Sequence, residues 1–154
     1  TDPYYQRDYL DRKQTDLDGE KVYYLPKAGK PFIVEDQLKK PNGIIGTPDG
    51  KYVYIADIGA GKTYRYRIDN GLLKDKQLFC SQGSDGMTLD AEGNVYLTGK
   101  GITVYNRSGQ KIAHIDINEP WTANVCFGGK DHRLLFITAS TAVYTLHMNV
   151  KGAD

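Results

Sequence analysis

The sequence predicts an all-β chain of four-stranded antiparallel propeller blades, about three and a half of them in its 154 residues. Three observations lead there. A segment recurs along the chain at blade-length spacing, short β-branched and aromatic runs alternate with turn residues, and no stretch carries a competing helical period.

The recurring segment is Asn42-Gly43-Ile44-Ile45-Gly46-Thr47-Pro48-Asp49-Gly50, then Asp85-Gly86-Met87-Thr88-Leu89-Asp90-Ala91-Glu92-Gly93, then Ala123-Asn124-Val125-Cys126-Phe127. Successive copies start 43 and 38 residues apart, as expected for one supersecondary unit of four strands.

Taken in order, residues 1–38 read as the end of one blade, with strands at 21–25 and 31–34 as its third and fourth. Residues 39–82 read as a full blade, with strands at 43–47, 51–57, 62–68 and 76–80 and turns at Pro48-Asp49-Gly50 and Asp69-Asn70-Gly71. Residues 83–118 repeat the unit through 95–97 and 102–105, the Arg107-Ser108-Gly109 turn and 112–115. Residues 119–154 read as an incomplete last blade, whose strands at 123–127 and 134–138 are followed by a third at 142–148. A closed propeller needs about four to eight blades. The open ends would leave apolar faces and unpaired edges in water, so an N-terminal half or a second chain is expected to complete the ring.

Composition narrows the function classes. With 40% apolar and 25% charged residues the chain is an ordinary globular one, and its net charge of +1 carries no footprint for nucleic acid. A small, neutral or singly charged ligand is the simpler expectation. No apolar run approaches the roughly 18 to 20 residues that span a bilayer, so no membrane partner is expected. The first residue is Thr1 rather than Met, which reads as processing or truncation and leaves the compartment unread. Cys80 and Cys126 sit in apolar strand-like runs and read as two buried free thiols. His114, His132 and His147 lack metal-ligand spacing, and Gly59-Ala60-Gly61-Lys62-Thr63 lacks both the full spacing of a phosphate loop and a following helix.

The ordered set Lys40-Pro41-Asn42-Gly43-Ile44, Thr47-Pro48-Asp49-Gly50-Lys51, Tyr54-Ile55-Ala56-Asp57, Ser84-Asp85-Gly86-Met87, Asp90-Ala91-Glu92-Gly93-Asn94 and Cys126-Phe127-Gly128-Gly129 resembles the gluconolactonase/regucalcin (senescence marker protein) family over nearly the whole chain. The resemblance implies the C-terminal half of a six-bladed ring with one divalent cation at the mouth of its channel. It also implies a metal-dependent hydrolase of sugar lactones, in which the cation polarises the lactone carbonyl and activates water.

Carried over by motif, Asn42 and Asp85 are the implied metal ligands, and Asp85 is the implied catalytic group as well. The other two family ligands, a Glu and a second Asn, lie upstream of Thr1 in the family pattern. The residue types agree with this, since oxygen donors suit Ca²⁺ first, with Mg²⁺ or Zn²⁺ as alternatives. On spacing alone, Asn-Gly and Asp-Gly are equally simple turn formers. Asp2 and Tyr4 are weaker candidates for the pocket, from the resemblance of Thr1-Asp2-Pro3-Tyr4 to a family segment. Trp121 and Thr122 could line the mouth or be buried between blades. The small-molecule partner is then a lactone or another ester. Two alternatives stay open: a related propeller esterase or phosphotriesterase, and a non-catalytic propeller fragment acting in binding or assembly.

Overall fold

The computed structural model describes residues 1–15 and 17–153. Among them are thirteen strands and no helix: β1 (Val22–Tyr24), β2 (Phe32–Glu35), β3 (Pro41–Gly46), β4 (Tyr52–Asp57), β5 (Lys62–Asp69), β6 (Leu72–Cys80), β7 (Met87–Leu89), β8 (Val95–Gly99), β9 (Gly101–Tyr105), β10 (Lys111–Ile115), β11 (Thr122–Gly128), β12 (Leu134–Ala139) and β13 (Ala142–His147). They form four antiparallel meanders, ordered β1-β2, β3-β4-β5-β6, β7-β8-β9-β10 and β11-β12-β13. The fold is a partial β-propeller. Among the described residues no helix is long and apolar enough to cross a membrane.

Local chemistry explains the hairpins. Asn70 and Gly71 both take left-handed backbone angles (φ 50° and 80°), which makes a two-residue turn whose twist matches the flanking strands. That tight turn lets β6 pair from Leu72 onward, well before the short strand at 76–80 that the sequence suggests. In the third sheet the buried Asp90 carboxylate accepts the Glu92 and Asn94 amides at 3.0 and 2.8 Å and the Tyr96 hydroxyl at 3.0 Å, closing the turn between β7 and β8. A buried carboxylate is tolerated because each oxygen is hydrogen-bonded.

The core lies between the sheets. One apolar layer joins Val22 and Leu38 to Val53, Ile55 and Tyr66. A second joins Tyr54, Ala56 and Phe79 to Met87, Leu89, Val95 and Leu97. A third joins Tyr96, Ile102 and Val104 to Val125, Leu135 and Ile137. Alternate residues of one strand point to opposite layers, as the pleat requires: Val53 and Ile55 pack backward, Tyr54 and Ala56 forward. Strands β4 and β8 are therefore buried almost continuously, whereas β12 alternates.

That alternation marks an uncovered face. On β12, Leu135 and Ile137 are buried while Phe136 is 41% exposed, and Val143 on β13 is 59% exposed. Cys126 pairs with Phe136 on this face and is exposed, so the expectation of two buried thiols holds only for Cys80. At the opposite end of the stack, Leu25 and Ile33 are exposed as well.

Candidate active site at the mouth of the innermost strands

Strands β3 and β7 are neighbours across the second and third sheets, and both begin at the same end of the molecule. Gly43 donates its amide to the Ser84 carbonyl at 3.1 Å, and a Cβ at Gly43 would stand 2.8 Å from the Asp85 carbonyl oxygen. A Cβ at Gly86 would likewise meet Asn124 Oδ1 at 2.1 Å. Glycine is required here for close approach of backbones, not for turning. Gly43 lies within β3, and neither Gly43 nor Gly86 has a positive φ.

Asn42 and Asp85 precede these contacts and meet, with Asn42 Nδ2 donating to Asp85 Oδ1 at 3.0 Å. Both are half-buried. The approach to Asn42 is fixed by Asp57, only 2% exposed, whose carboxylate accepts the amides of Lys39 and Lys40 at 2.9 Å each and of Ala60 at 3.1 Å. The bend at Asp85 is fixed by two buried hydroxyls. Ser84 Oγ donates to the Gly86 carbonyl at 2.6 Å and accepts the Thr98 amide at 2.8 Å, and Thr98 Oγ1 accepts the Gly86 amide at 3.0 Å.

Two aromatic residues complete the group. The indole N–H of Trp121, 43% exposed, points to Asp85 Oδ2 at a long 3.4 Å. The Tyr5 hydroxyl accepts from Asn42 Nδ2 at 2.7 Å, and the Lys40 ammonium lies 4.6 Å from the centre of the Tyr5 ring. Burial raises the Tyr5 hydroxyl pKa and the Asp85 and Glu20 carboxylates add to it; the Asn42 hydrogen bond and Arg7 only partly oppose them. Tyr5 therefore stays a neutral hydroxyl at physiological pH.

The other candidates separate. Asp2 pairs by backbone with Lys21 at the edge of the first sheet. Tyr4 turns its hydroxyl to the Arg12 carbonyl at 3.1 Å and to Gln6, and its neighbour Tyr5 meets Asn42 instead. Thr122 is the first residue of β11 and is fully buried, the second of its two alternatives, and its hydroxyl has no hydrogen-bond partner among the described residues. No motif marks Tyr5 in the sequence, because which of two adjacent tyrosines faces the site depends on the path of an irregular segment.

Chemically, the mouth offers hard oxygen donors. The Asp85 carboxylate and the Asn42 amide belong to the donor set of a divalent cation, though two side chains supply only part of the roughly six to eight oxygens that Ca²⁺ takes. The Glu20 carboxyl, whose charge reaches Tyr5, has a buried Oε2 without a hydrogen-bond partner among the described residues.

Residues 7–141 match the model of the SMP-30/Gluconolactonase/LRE-like region. The chain belongs to this family. It is 30% identical to the gluconolactonase of Zymomonas mobilis subsp. mobilis over 99% of its own length and 47% of that protein. Among solved structures it resembles a gluconolactonase from Xanthomonas campestris (26% identity, TM-score 0.79, 87% of this chain and 46% of that one). It also resembles a calcium-binding regucalcin from Agrobacterium tumefaciens (26% identity, TM-score 0.76, 86% and 53%). The chain spans less than half the length of the curated relatives it matches.

Proposed function

We propose that this family member serves as the C-terminal half of a metal-dependent sugar-lactone hydrolase, completed by an N-terminal half or a second chain. The observation that carries the reading is the meeting of Asn42 and Asp85 at one end of adjacent innermost strands, in a chain whose relatives include proteins named gluconolactonase. The exposed Phe136 and Val143 at one end of the stack and Leu25 and Ile33 at the other are the surfaces that further blades would cover.

A divalent cation, Ca²⁺ first and Mg²⁺ or Zn²⁺ as alternatives, would be held by Asn42 and Asp85 and would supply Lewis acidity for the lactone carbonyl. Presenting an oxygen requires the Asn42 amide to turn over, exchanging Nδ2 for Oδ1. The neutral Tyr5 hydroxyl can serve either amide orientation, accepting from Nδ2 or donating to Oδ1. Asp85 takes a proton from water as the water oxygen adds to the lactone carbonyl carbon. The proton passes to the ring oxygen as the acyl C–O bond opens, giving a hydroxy acid whose carboxyl then loses its remaining proton to solvent. Trp121 offers its ring as a floor for the sugar face, and Lys40 offers a positive charge to the acid product.

The test is lactonase activity of the ring-complete protein against its Asp85→Ala variant, with metal content measured on both. Loss of activity with loss of metal is expected; unchanged activity removes the role given to Asp85. A non-catalytic role in assembly is favoured instead if the native protein keeps the mass of one chain and binds no cation, since the uncovered sheet faces would then be its main feature.

A further inference from the structure

A cavity of about 530 Å³ lies away from the mouth. It opens between the second and third sheets at the far end of β3 and β7, lined by Thr47 and Asp49 on one side and Leu89 and Asp90 on the other. Asn42 and Thr47 are about five strand steps apart, so the two sites lie roughly 16 Å from one another. Its volume falls in the range of small-molecule pockets.

Its chemistry is specific. Tyr52 and Tyr54 form an aromatic wall, and Arg65 and Arg107 reach in from β5 and from the turn after β9. Each guanidinium is held in place by neutral groups. Arg65 lies 5.1 Å from the Tyr52 ring centre and donates to Gln77 Oε1 at 2.8 Å, while Arg107 donates its Nε–H to the Glu92 carbonyl. Among the described residues neither makes an ion pair, although other arginine and lysine side chains do. Gly93 makes room for Arg107, because a Cβ there would stand 2.5 Å from its Nε. The two carboxylates in the wall are already satisfied: Asp90 by its turn, Asp49 by Thr47 and Lys51. Burial pushes the Tyr54 hydroxyl pKa up, with Arg65 and Arg107 opposing, so the group enters the cleft as a neutral donor.

We propose that this cleft binds a small organic carboxylate, its oxygens gripped by the guanidinium groups of Arg65 and Arg107 and its apolar portion lying against Tyr52 and Tyr54. The planar fork of arginine matches the two oxygens of a carboxylate. A single negative charge fits better than the double charge of a phosphate monoester, because Asp49 and Asp90 face the same space and offset two of the three positive charges that Arg65, Arg107 and Lys151 bring to it. The site is independent of the lactonase reading, since it uses none of the mouth residues.

Benzoate and inorganic phosphate are the probes, titrated separately against the protein as isolated, with binding followed by calorimetry. Saturable benzoate binding, tighter than that of phosphate, is expected. The R65Q/R107Q protein should bind benzoate at least about tenfold more weakly, while Lys111→Gln, an exposed charge change on another strand, should leave it unaltered. Melting temperatures are compared throughout. If the double variant melts early, Arg107→Lys keeps the charge and the stem but loses the fork, and it should still weaken binding severalfold. Absence of saturable benzoate binding to the unsubstituted protein overturns the proposal. So does benzoate binding that survives substitution of both arginines, or phosphate binding tighter than benzoate.

Discussion

The Tyr5 hydroxyl and the Asn42 amide meet at 2.7 Å across 37 positions of sequence, and through Asn42 the contact continues to Asp85. An irregular N-terminal segment thereby orients a side chain on an innermost strand. Tyr5→Phe removes the acceptor but keeps the ring beneath Lys40. Thermal stability should change little, because the bond is exposed, whereas affinity for the divalent cation should fall about tenfold as Asn42 loses its second partner. Calcium titration of the two proteins checks this; equal affinities would mean that Tyr5 does not orient Asn42.

Gly43→Ala places a methyl group 2.8 Å from the Asp85 carbonyl oxygen and 3.0 Å from the Ser84 carbonyl oxygen. Both obstacles are backbone, so β3 and β7 must part. The expected cost is about 1–3 kcal/mol in urea unfolding, together with loss of the Asn42 to Asp85 contact and of metal binding. A variant as stable as the parent would show that the strands can separate freely.

Asp57→Ala leaves the part-buried amides of Lys39, Lys40 and Ala60 without their acceptor. A fully buried unsatisfied donor costs about 1–3 kcal/mol, and water can reach these three in part, so destabilisation of about 2–3 kcal/mol is expected. Asp57→Asn, which retains one oxygen, should recover part of it. Denaturant midpoints of the three proteins give the order directly.

Glu35 sets an acid limit. Burial works to raise its carboxyl pKa, but the Tyr66 hydroxyl at 2.6 Å, the Gln37 amide and the Lys76 ammonium at 3.0 Å outweigh it, and the net shift is downward from 4.5. A lowered folded-state pKa contributes stability that is complete above pH 4.5 and is lost as pH falls through the lower folded value. Glu35→Gln should therefore lower stability at pH 7 and flatten its fall below pH 4.5, as measured by melting temperature against pH.

Cys126 reports on assembly. It lies exposed beside Phe136, while Cys80 is buried and its thiol pKa is pushed up by that burial. A single 17.2 kDa chain should therefore modify quickly at Cys126 and only after unfolding at Cys80. In a completed ring Cys126 should be protected too. Mass spectrometry of the labelled protein under native and denaturing conditions distinguishes the two states.

The strands were legible wherever turn residues punctuate apolar runs. Asn70-Gly71 marks the β5–β6 hairpin, and Asp90 with Gly93 marks the β7–β8 turn. Spacing brought Asn42 and Asp85 to equivalent places in successive repeats, but it left open whether their glycines serve turns. The close approach of Gly43 to the Asp85 backbone answers that, and it is a contact between sheets that no local pattern encodes. The exposure of Cys126 is hidden for the same reason, and the choice between mouth and interior for Thr122 stays open in the sequence: both depend on which face of β11 meets a neighbour. The paired arginines of the far cleft were equally hidden, because Arg65 and Arg107 stand on different sheets.

Since every apolar layer is shared by two adjacent sheets, cohesion in this chain behaves as a sum of nearest-neighbour terms along a line. The inner sheets are gripped from both sides and the terminal ones from one side only. Amide hydrogens of β4 and β8 should then exchange most slowly and those of β1 and β13 fastest, with the molecule loosening from its ends inward.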